Sequence, residues 1–255
     1  GAQVAFASVI GDDTTGTQLT TLVGEEKRLI PTLLSERGRV STKKTRYVAA
    51  SQQLLRSDNE TRDAVRPETI QKITELMLPE IGEYHAIILS DYGKGLLTPA
   101  LCRAIIDTAK AHQIPVFVDP KQRDVSVYAG ATVLSPNLKE LATAAGVDHF
   151  EDEAAIISAA RNLALAHGFQ YVLVTRSEHG MSLIDAEGLI THLPAAAQQV
   201  FDVSGAGDTV IATLAAAYAA GAPMASAALL ANLAGGIVVG RLGTAVVHRT
   251  DLTAA

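Results

Sequence analysis

Seven consecutive residues, Asp202-Val203-Ser204-Gly205-Ala206-Gly207-Asp208, bring together the side chains and spacing best suited to chemistry in this chain. They lie between a short apolar stretch ending at Val203 and a long helical run beginning near Thr209, so they read as a strand-to-helix turn. Gly205 and Gly207 permit tight backbone geometry and close approach of a ligand. The helix behind them offers unpaired N–H groups and the positive end of its dipole, which together can hold an anion. Asp208 stands beside that cradle, where a hydroxyl could be deprotonated. An anion cradle next to a carboxylate base points to phosphoryl transfer to an alcohol. No Lys-Ser/Thr pair follows the glycines, so the turn is not a Walker loop. It also lacks the third glycine of a dinucleotide fingerprint.

A second constellation is Asn137-Leu138-Lys139-Glu140, which sets Asn137 and Glu140 one helical turn apart on one face. Two readings stand side by side. Asn137 could cap the helix while Glu140 complements its dipole. Alternatively the pair could order a hydrated Mg²⁺ near nucleotide phosphates, since Mg²⁺ keeps several waters and takes few protein ligands. Arg37, Arg39, Lys43, Lys44 and Arg46 form a basic cluster that reads mostly as a solvated face. Arg46 and Arg56 flank Ser51-Gln52-Gln53 and could hold a substrate phosphate, a contact for which Arg geometry is suited. The seven histidines show no metal-ligand spacing, and no Gly-x-Ser-x-Gly elbow speaks for a serine hydrolase.

The elements that must position these residues follow from hydrophobic patterning. Val4–Ile10 reads as a strand and Thr14–Val23 as a short helix. Residues 31–57 alternate and carry β-branched side chains, which predicts an antiparallel strand section with polar faces. From Pro67 onward helix and strand alternate. Pro67 fits a first helical position, with Ile70, Ile73, Leu76 and Met77 on one face. Ala86–Leu89 reads as a strand buried on both sides. Thr98-Pro99 opens the next helix. Strands follow at Val116–Val118, Thr132–Leu134 and Tyr171–Val174, with helices over Asn137–Ala145 and Asp152–His167. Met181–Ile184 and Leu189–Leu193 suggest a hairpin. Two long helices come after residue 204.

This order predicts an α/β fold: an open, mostly parallel sheet with helices on both faces and a small β lid or appendage. The expected partition is a main domain of residues 1–30 and 58–255, with the appendage at 31–57. In such sheets ligands bind at the carboxyl ends of the strands. The polar residues expected there are Ser90-Asp91, Asp119-Pro120-Lys121, Ser135-Pro136-Asn137, Thr175-Arg176-Ser177 and Asp202.

The 255 residues can bury a full core, and 48% of them are hydrophobic. A net charge of −6 carries no overall footprint for nucleic acid or an anionic membrane. The single cysteine, Cys102, has no internal disulfide partner and fits a reducing, cytoplasmic setting. Residues 209–240 lack any charged side chain, but Gly221-Ala222-Pro223 and Asn232 interrupt them, which predicts two buried helices rather than a membrane span. Gly1 opens directly onto a strand, so further residues are expected upstream.

These motifs resemble the ribokinase-like (PfkB) carbohydrate kinases. Asp202–Asp208 matches their signature turn, and Asn137–Glu140 matches their Asn-x-x-Glu motif. Within that family the chain is most similar to bacterial heptose 7-phosphate kinases. That likeness is carried by Gln52–Arg56, Leu89–Gly95, Val118–Lys121, Leu134–Asn137 and Val174–Leu183. The resemblance implies transfer of a phosphoryl group from ATP to the anomeric hydroxyl of D-glycero-D-manno-heptose 7-phosphate, in lipopolysaccharide core precursor synthesis. It implies Asp208 as base and the Gly205, Ala206 and Gly207 backbone as anion hole. Asn137 and Glu140 would serve Mg²⁺ and phosphates. Thr175, Ser177, Glu178 and Gly180 would lie by the nucleotide, with Asn232 near its adenine. Arg46, Gln53, Arg56, Asp91, Lys94 and Lys121 are the residues expected to meet the sugar phosphate. Asp202 and Val203 would sit beside a monovalent cation such as K⁺. Relatives often dimerise through the β appendage, so a homodimer is expected. The family's opening Gly-Asp-x-x-x-Asp strand and Gly-Gly-Ala-x-Asn-x-Ala segment, which hold the sugar, do not occur in these 255 residues. That departure keeps two alternatives in view: a kinase of another sugar or nucleoside, and a non-catalytic nucleotide-binding module.

Overall fold

The computed structural model describes residues 2–49, 52–197 and 200–254, with the backbone alone of Gln52 and Gln53. Two compact units emerge: Gly1–Glu80 with Gly93–Leu101, and Ile81–Tyr92 with Cys102–Ala255.

The smaller unit starts with β1 (Val4–Gly11), α1 (Thr14–Glu25) and β2 (Leu29–Glu36). Asp13 begins α1 by accepting the Gly16 N–H at 2.7 Å. β2 returns parallel to β1, from Val4 opposite Leu29 to Gly11 opposite Glu36. Residues 31–36 therefore differ from the antiparallel section expected of them. Alternation identifies a strand but not its partner, and α1 supplies the crossover that a parallel pair needs. The antiparallel ribbon is narrower: β3 (Lys43–Ala49) pairs with β4 (Gln52–Asn59), with a register shift between Tyr47 and Val48. α2 (Pro67–Met77) has Pro at its start and buries Ile73, while Leu76 stays exposed. Its opening is tied down by Glu36, whose carboxylate accepts the Arg66 N–H at 2.9 Å.

The larger unit carries one six-stranded sheet. Its elements are β5 (Ile87–Ser90), α3 (Pro99–Ala111, entering from the smaller unit), β6 (Val116–Asp119), β7 (Val133–Leu134), α4 (Leu138–Ala145), α5 (Glu153–His167), β8 (Tyr171–Thr175), β9 (Met181–Asp185), β10 (Ile190–Leu193), α6 (Ala206–Ala219), α7 (Met224–Val239) and α8 (Arg249–Ala254). The spatial order is β10-β9-β8-β7-β6-β5. β5 to β8 run parallel, and β9 and β10 are antiparallel. Helices cover both faces.

The burial of this sheet follows its sequence. Val116, Phe117, Val118, Val133 and Leu134 form continuous apolar runs and are all buried. Phe117 meets the ring of Tyr218 edge-on at 5.8 Å. β5 departs from its expected burial on both sides, since it ends the six-strand order and leaves Ile88 exposed. The uncharged run after residue 208 becomes α6 and α7, which pack on each other and bury Leu214, Ala227, Ala228, Ala231 and Ala234. No helix of the described residues is long and apolar enough to cross a membrane.

Candidate active site

The parallel strands β5 to β8 deliver their carboxyl ends to one edge of the sheet. Four loops therefore start side by side: Asp91 after β5, Asp119 closing β6, Ser135 to Asn137 after β7, and Thr175 closing β8. An isolated parallel bridge between Asn137 and Thr175 carries the pairing of β7 and β8 beyond the end of β7.

The glycine turn enters this edge through α6. Asp202 folds back on the turn, accepting the Ser204 N–H at 2.9 Å and the Gly243 N–H at 3.2 Å. Gly205 takes the left-handed conformation (φ +80°) at the N-cap of α6, a geometry that favours glycine. A glycine cap carries no side-chain acceptor, so no side chain caps the α6 N-terminus. Gly207 has a different reason to be small. A Cβ placed there would meet nothing within 4 Å, so the chain itself does not demand glycine. What its bare backbone offers is room for a ligand to approach the helix N-terminus. Asp208 follows in the first turn of α6.

Asp208 has a partner that sequence spacing does not reveal. The Tyr92 hydroxyl donates to Asp208 Oδ1 at 2.6 Å, across 116 positions of sequence. Desolvation, followed by that hydrogen bond, pushes the Tyr92 phenol up to about 12. Asp91, its neighbour, is buried and accepts from the Tyr128 hydroxyl at 2.5 Å.

Asp119 also responds to this setting. Burial first, then the Glu140 and Asp208 carboxylates, push its carboxyl up to about 7, against the pull of Lys121. Tyr92 and Asp119 thus join Asp208, Asp91, Glu140 and Lys121 in one group. The signal for Asp119 was its position at the carboxyl end of a buried strand. Tyr92 carried no signal beyond its place in the Leu89–Gly95 motif.

Asn137 and Glu140 form a reciprocal capping box at the start of α4. The Asn137 side chain accepts the Glu140 N–H at 2.9 Å, and Glu140 Oε2 accepts the Asn137 N–H at 3.1 Å. The other carboxylate oxygen of Glu140 takes the Lys121 ammonium at 3.1 Å. Among the described residues no group of three or more His, Cys, Asp or Glu is arranged to hold a metal ion. Mg²⁺ needs less, because it is commonly held by one or two carboxylates together with phosphates and waters. Glu140 and Asp119 at this edge meet that requirement.

After β8 the chain makes a tight turn. Ser177 has φ +52°, Gly180 has φ +75°, and the Arg176 N–H donates to the Gly180 carbonyl at 2.8 Å. Glu178 and Ser177 lie on the outside of this turn and are not buried. Asn232, on α7, is 5% exposed and donates to the Pro194 carbonyl at 2.8 Å. Val203 is exposed, and its carbonyl accepts the Ala206 N–H.

The remaining candidates belong to the smaller unit. Arg46 on β3 stands opposite Arg56 on β4, and Arg56 grips Asp58 with both Nε and Nη2 at 2.9 Å. Lys94 pairs with the buried carboxylate of Glu60 at 2.5 Å. Hydrogen bonds from Lys94 and then Arg62 hold that carboxyl down at about 2. The Gln53 side chain lies outside the described residues, as does Ser51.

Comparison with known proteins fits this geometry. Residues 1–250 match the pfkB family carbohydrate kinase model. The bifunctional protein HldE of Paramagnetospirillum magneticum is 51% identical over all of this chain and 52% of its own length. The chain thus spans about half the length of the curated relatives it matches. Among solved structures, Escherichia coli phosphofructokinase-2 in complex with potassium superposes with a TM-score of 0.84 at 17% identity, covering 100% of this chain and 81% of that one. Ribokinase from Giardia lamblia gives 0.82 at 16% identity, covering 99% and 83%.

Proposed function

The chain belongs to the pfkB family of carbohydrate kinases, and from that premise we propose that it phosphorylates the anomeric hydroxyl of D-glycero-β-D-manno-heptose 7-phosphate with ATP. The observation that carries the chemistry is Asp208 in the first turn of α6, behind a left-handed glycine and an uncapped helix N-terminus. The choice of sugar rests on the heptose kinase motifs and on the HldE relatives, 41–51% identical to this chain.

In the proposed reaction the sugar hydroxyl donates its proton to Asp208 as its oxygen attacks the γ-phosphorus. The bond from that phosphorus to the bridging oxygen breaks, and ADP leaves with the electron pair. The transition state of such transfers is loose, so positioning and charge stabilisation dominate. The backbone N–H groups at Gly205, Ala206 and Gly207 are proposed to meet the equatorial phosphoryl oxygens, where fixed donors are most effective; the Ala206 N–H, which donates to the Val203 carbonyl at 3.2 Å, would have to exchange that partner. Tyr92 holds one oxygen of Asp208 and so aims the other at the hydroxyl. Asp119 and Glu140 would hold Mg²⁺, with Asn137 beside the phosphates. When bound, the ion would supply positive charge to offset that of the phosphates.

ATP is proposed to lie along the Thr175–Gly180 turn, through Thr175, Ser177, Glu178 and Gly180, with Asn232 near the adenine. Asp91, Lys94, Lys121, Arg46, Gln53 and Arg56 are proposed to meet the sugar phosphate. A monovalent cation is proposed beside Asp202 and Val203, and K⁺-dependence of turnover tests it. The ribbon's exposed Tyr47, Val48, Leu54 and Leu55 support a homodimer closed through β3 and β4. The setting proposed is the cytoplasm, in lipopolysaccharide core precursor synthesis.

A substrate panel with coupled ADP detection tests the assignment. Heptose 7-phosphate is expected to give the highest kcat/KM. Faster turnover of unphosphorylated hexoses would remove the heptose phosphate and leave a kinase of another sugar.

A further inference from the structure

Arg176 places a charge where a surface residue would be expected. It leaves the end of β8 and opens the Thr175–Gly180 turn, yet its side chain is only 11% exposed. Its Nη2 donates to Glu153 Oε2 at 2.6 Å, and its Nη1 to Ser182 Oγ at 2.7 Å. His192 closes the ring, with Nε2 at 3.2 Å from Glu153 Oε1 and Nδ1 at 3.1 Å from Ser182 Oγ. Four side chains thereby join the start of α5, the end of β8, β9 and β10. The sequence Glu–His–Ser suggests a hydrolytic triad, but Ser182 is fully buried and cannot reach an electrophile.

Stability alone does not account for the ring. Glu153 and His192 are both about half exposed, so the ion pair is screened by solvent and is weak support for stability. Arg176 Nε is buried and has no hydrogen-bond partner among the described residues. What the ring fixes is the turn above it. Ser177 sits in the left-handed region, which is unfavourable for a non-glycine residue. Such conformations persist where the surroundings over-determine them, and they cluster at ligand clamps. On the far side the turn is hemmed in by β10, since a Cβ at Gly180 would meet the Leu193 carbonyl oxygen at 2.0 Å. Its backbone is closed by the Arg176 N–H on the Gly180 carbonyl.

We propose that Arg176 is a positioning residue for the nucleotide: with Glu153, Ser182 and His192 it holds the Thr175–Gly180 turn in the shape that receives the triphosphate donor. This rests on the placement of ATP at that turn. Arg176 acts through the backbone and touches neither substrate.

The test combines calorimetric ATP binding with steady-state kinetics for Arg176→Met and Arg176→Lys. Arg176→Met should raise both Kd and KM for ATP by about tenfold, as expected when a positioning contact is lost. The KM of the sugar should stay within about twofold. Arg176→Lys keeps the charge but not the planar fork, and should recover only part of the loss. If Arg176→Met does not fold, Ser182→Ala and Glu153→Gln each remove one link, and each should weaken ATP binding by about threefold. Unchanged ATP binding in the folded Met variant, or in both of the others, overturns the proposal. Glu178→Trp separates the two layers of inference, because it adds bulk on the exposed side of the turn. If it weakens ATP binding while Arg176→Met does not, the positioning role falls and the nucleotide placement stands. If neither changes ATP binding, the placement falls and takes the positioning role with it.

Discussion

In the larger unit, β6, β7 and β8 fill both of their faces: Phe117, Val118, Val133, Leu134, Val172 and Leu173 are fully buried. In the smaller unit, the β3–β4 ribbon leaves Tyr47, Val48, Leu54 and Leu55 exposed. Both regions are strands by the same β-branched and aromatic preferences, but only the first has a core behind it. A packed sheet fixes strand ends against one another, so residues distant in sequence, such as Tyr92 and Asp208, meet at 2.6 Å. A ribbon without its own core presents side chains rather than fixing them. The chemistry is accordingly proposed on the sheet, and the contact with a second copy on the ribbon.

The sharpest way to break this contrast is to remove the proposed base, Asp208, in the first turn of α6. Asp208→Asn should lower kcat by about 10²–10⁴-fold, the range of a general base. ATP affinity should stay within about twofold, since the proposed anion cradle is backbone. Near-normal turnover in this variant would falsify the role of Asp208. Core truncation comes next. Phe117→Ala should cost about 3–5 kcal/mol in denaturant unfolding. Leu54→Ala on the ribbon should change monomer stability by less than about 0.5 kcal/mol. Comparable losses at the two sites would erase the distinction between the units.

A smaller, pH-dependent effect is expected from Asp119. Its folded pKa lies near 7, above that of an unfolded aspartate. Its favourable contribution is therefore complete below about pH 4 and is lost as pH rises towards 7. Asp119→Asn should stabilise the protein relative to wild type progressively over that window, as followed by thermal unfolding at several pH values. A wild-type-to-variant difference that stays constant from pH 4 to 8 rules this out. The smallest effect on the folded chain belongs to Leu54→Lys. It should leave Tm almost unchanged yet shift sedimentation towards monomer; an unshifted profile removes the ribbon from the dimer.

The sequence made the site's local pieces readable, because each is written in neighbouring residues. The glycine turn into α6, the Asn137–Glu140 cap, and the hairpin of β9 and β10 all depend on contacts within a few positions. Burial patterns also carried the sheet, since fully apolar runs such as Val116–Val118 mark strands covered on both sides. Pairings across long separations were not readable. β2 looked like part of the antiparallel ribbon, and its parallel partner β1 was set by the α1 crossover. β5 has an apolar run like a central strand, although it ends the six-strand order. Asn232 had a ligand reading from resemblance alone, whereas its hydrogen bond to Pro194 depends on how α7 docks beneath the segment after β10. The ring around Arg176 was hidden for the same reason: its members span 40 residues and four elements, and none advertises the others by spacing.

Glu140 offers a last lesson in shared duty. One of its oxygens latches the first turn of α4, and the other answers Lys121. Any cation that recruited this carboxylate would compete with the latch. The amide proton of Asn137 would then exchange with solvent faster as the metal concentration rises, so a helix end would serve as the gauge of site occupancy.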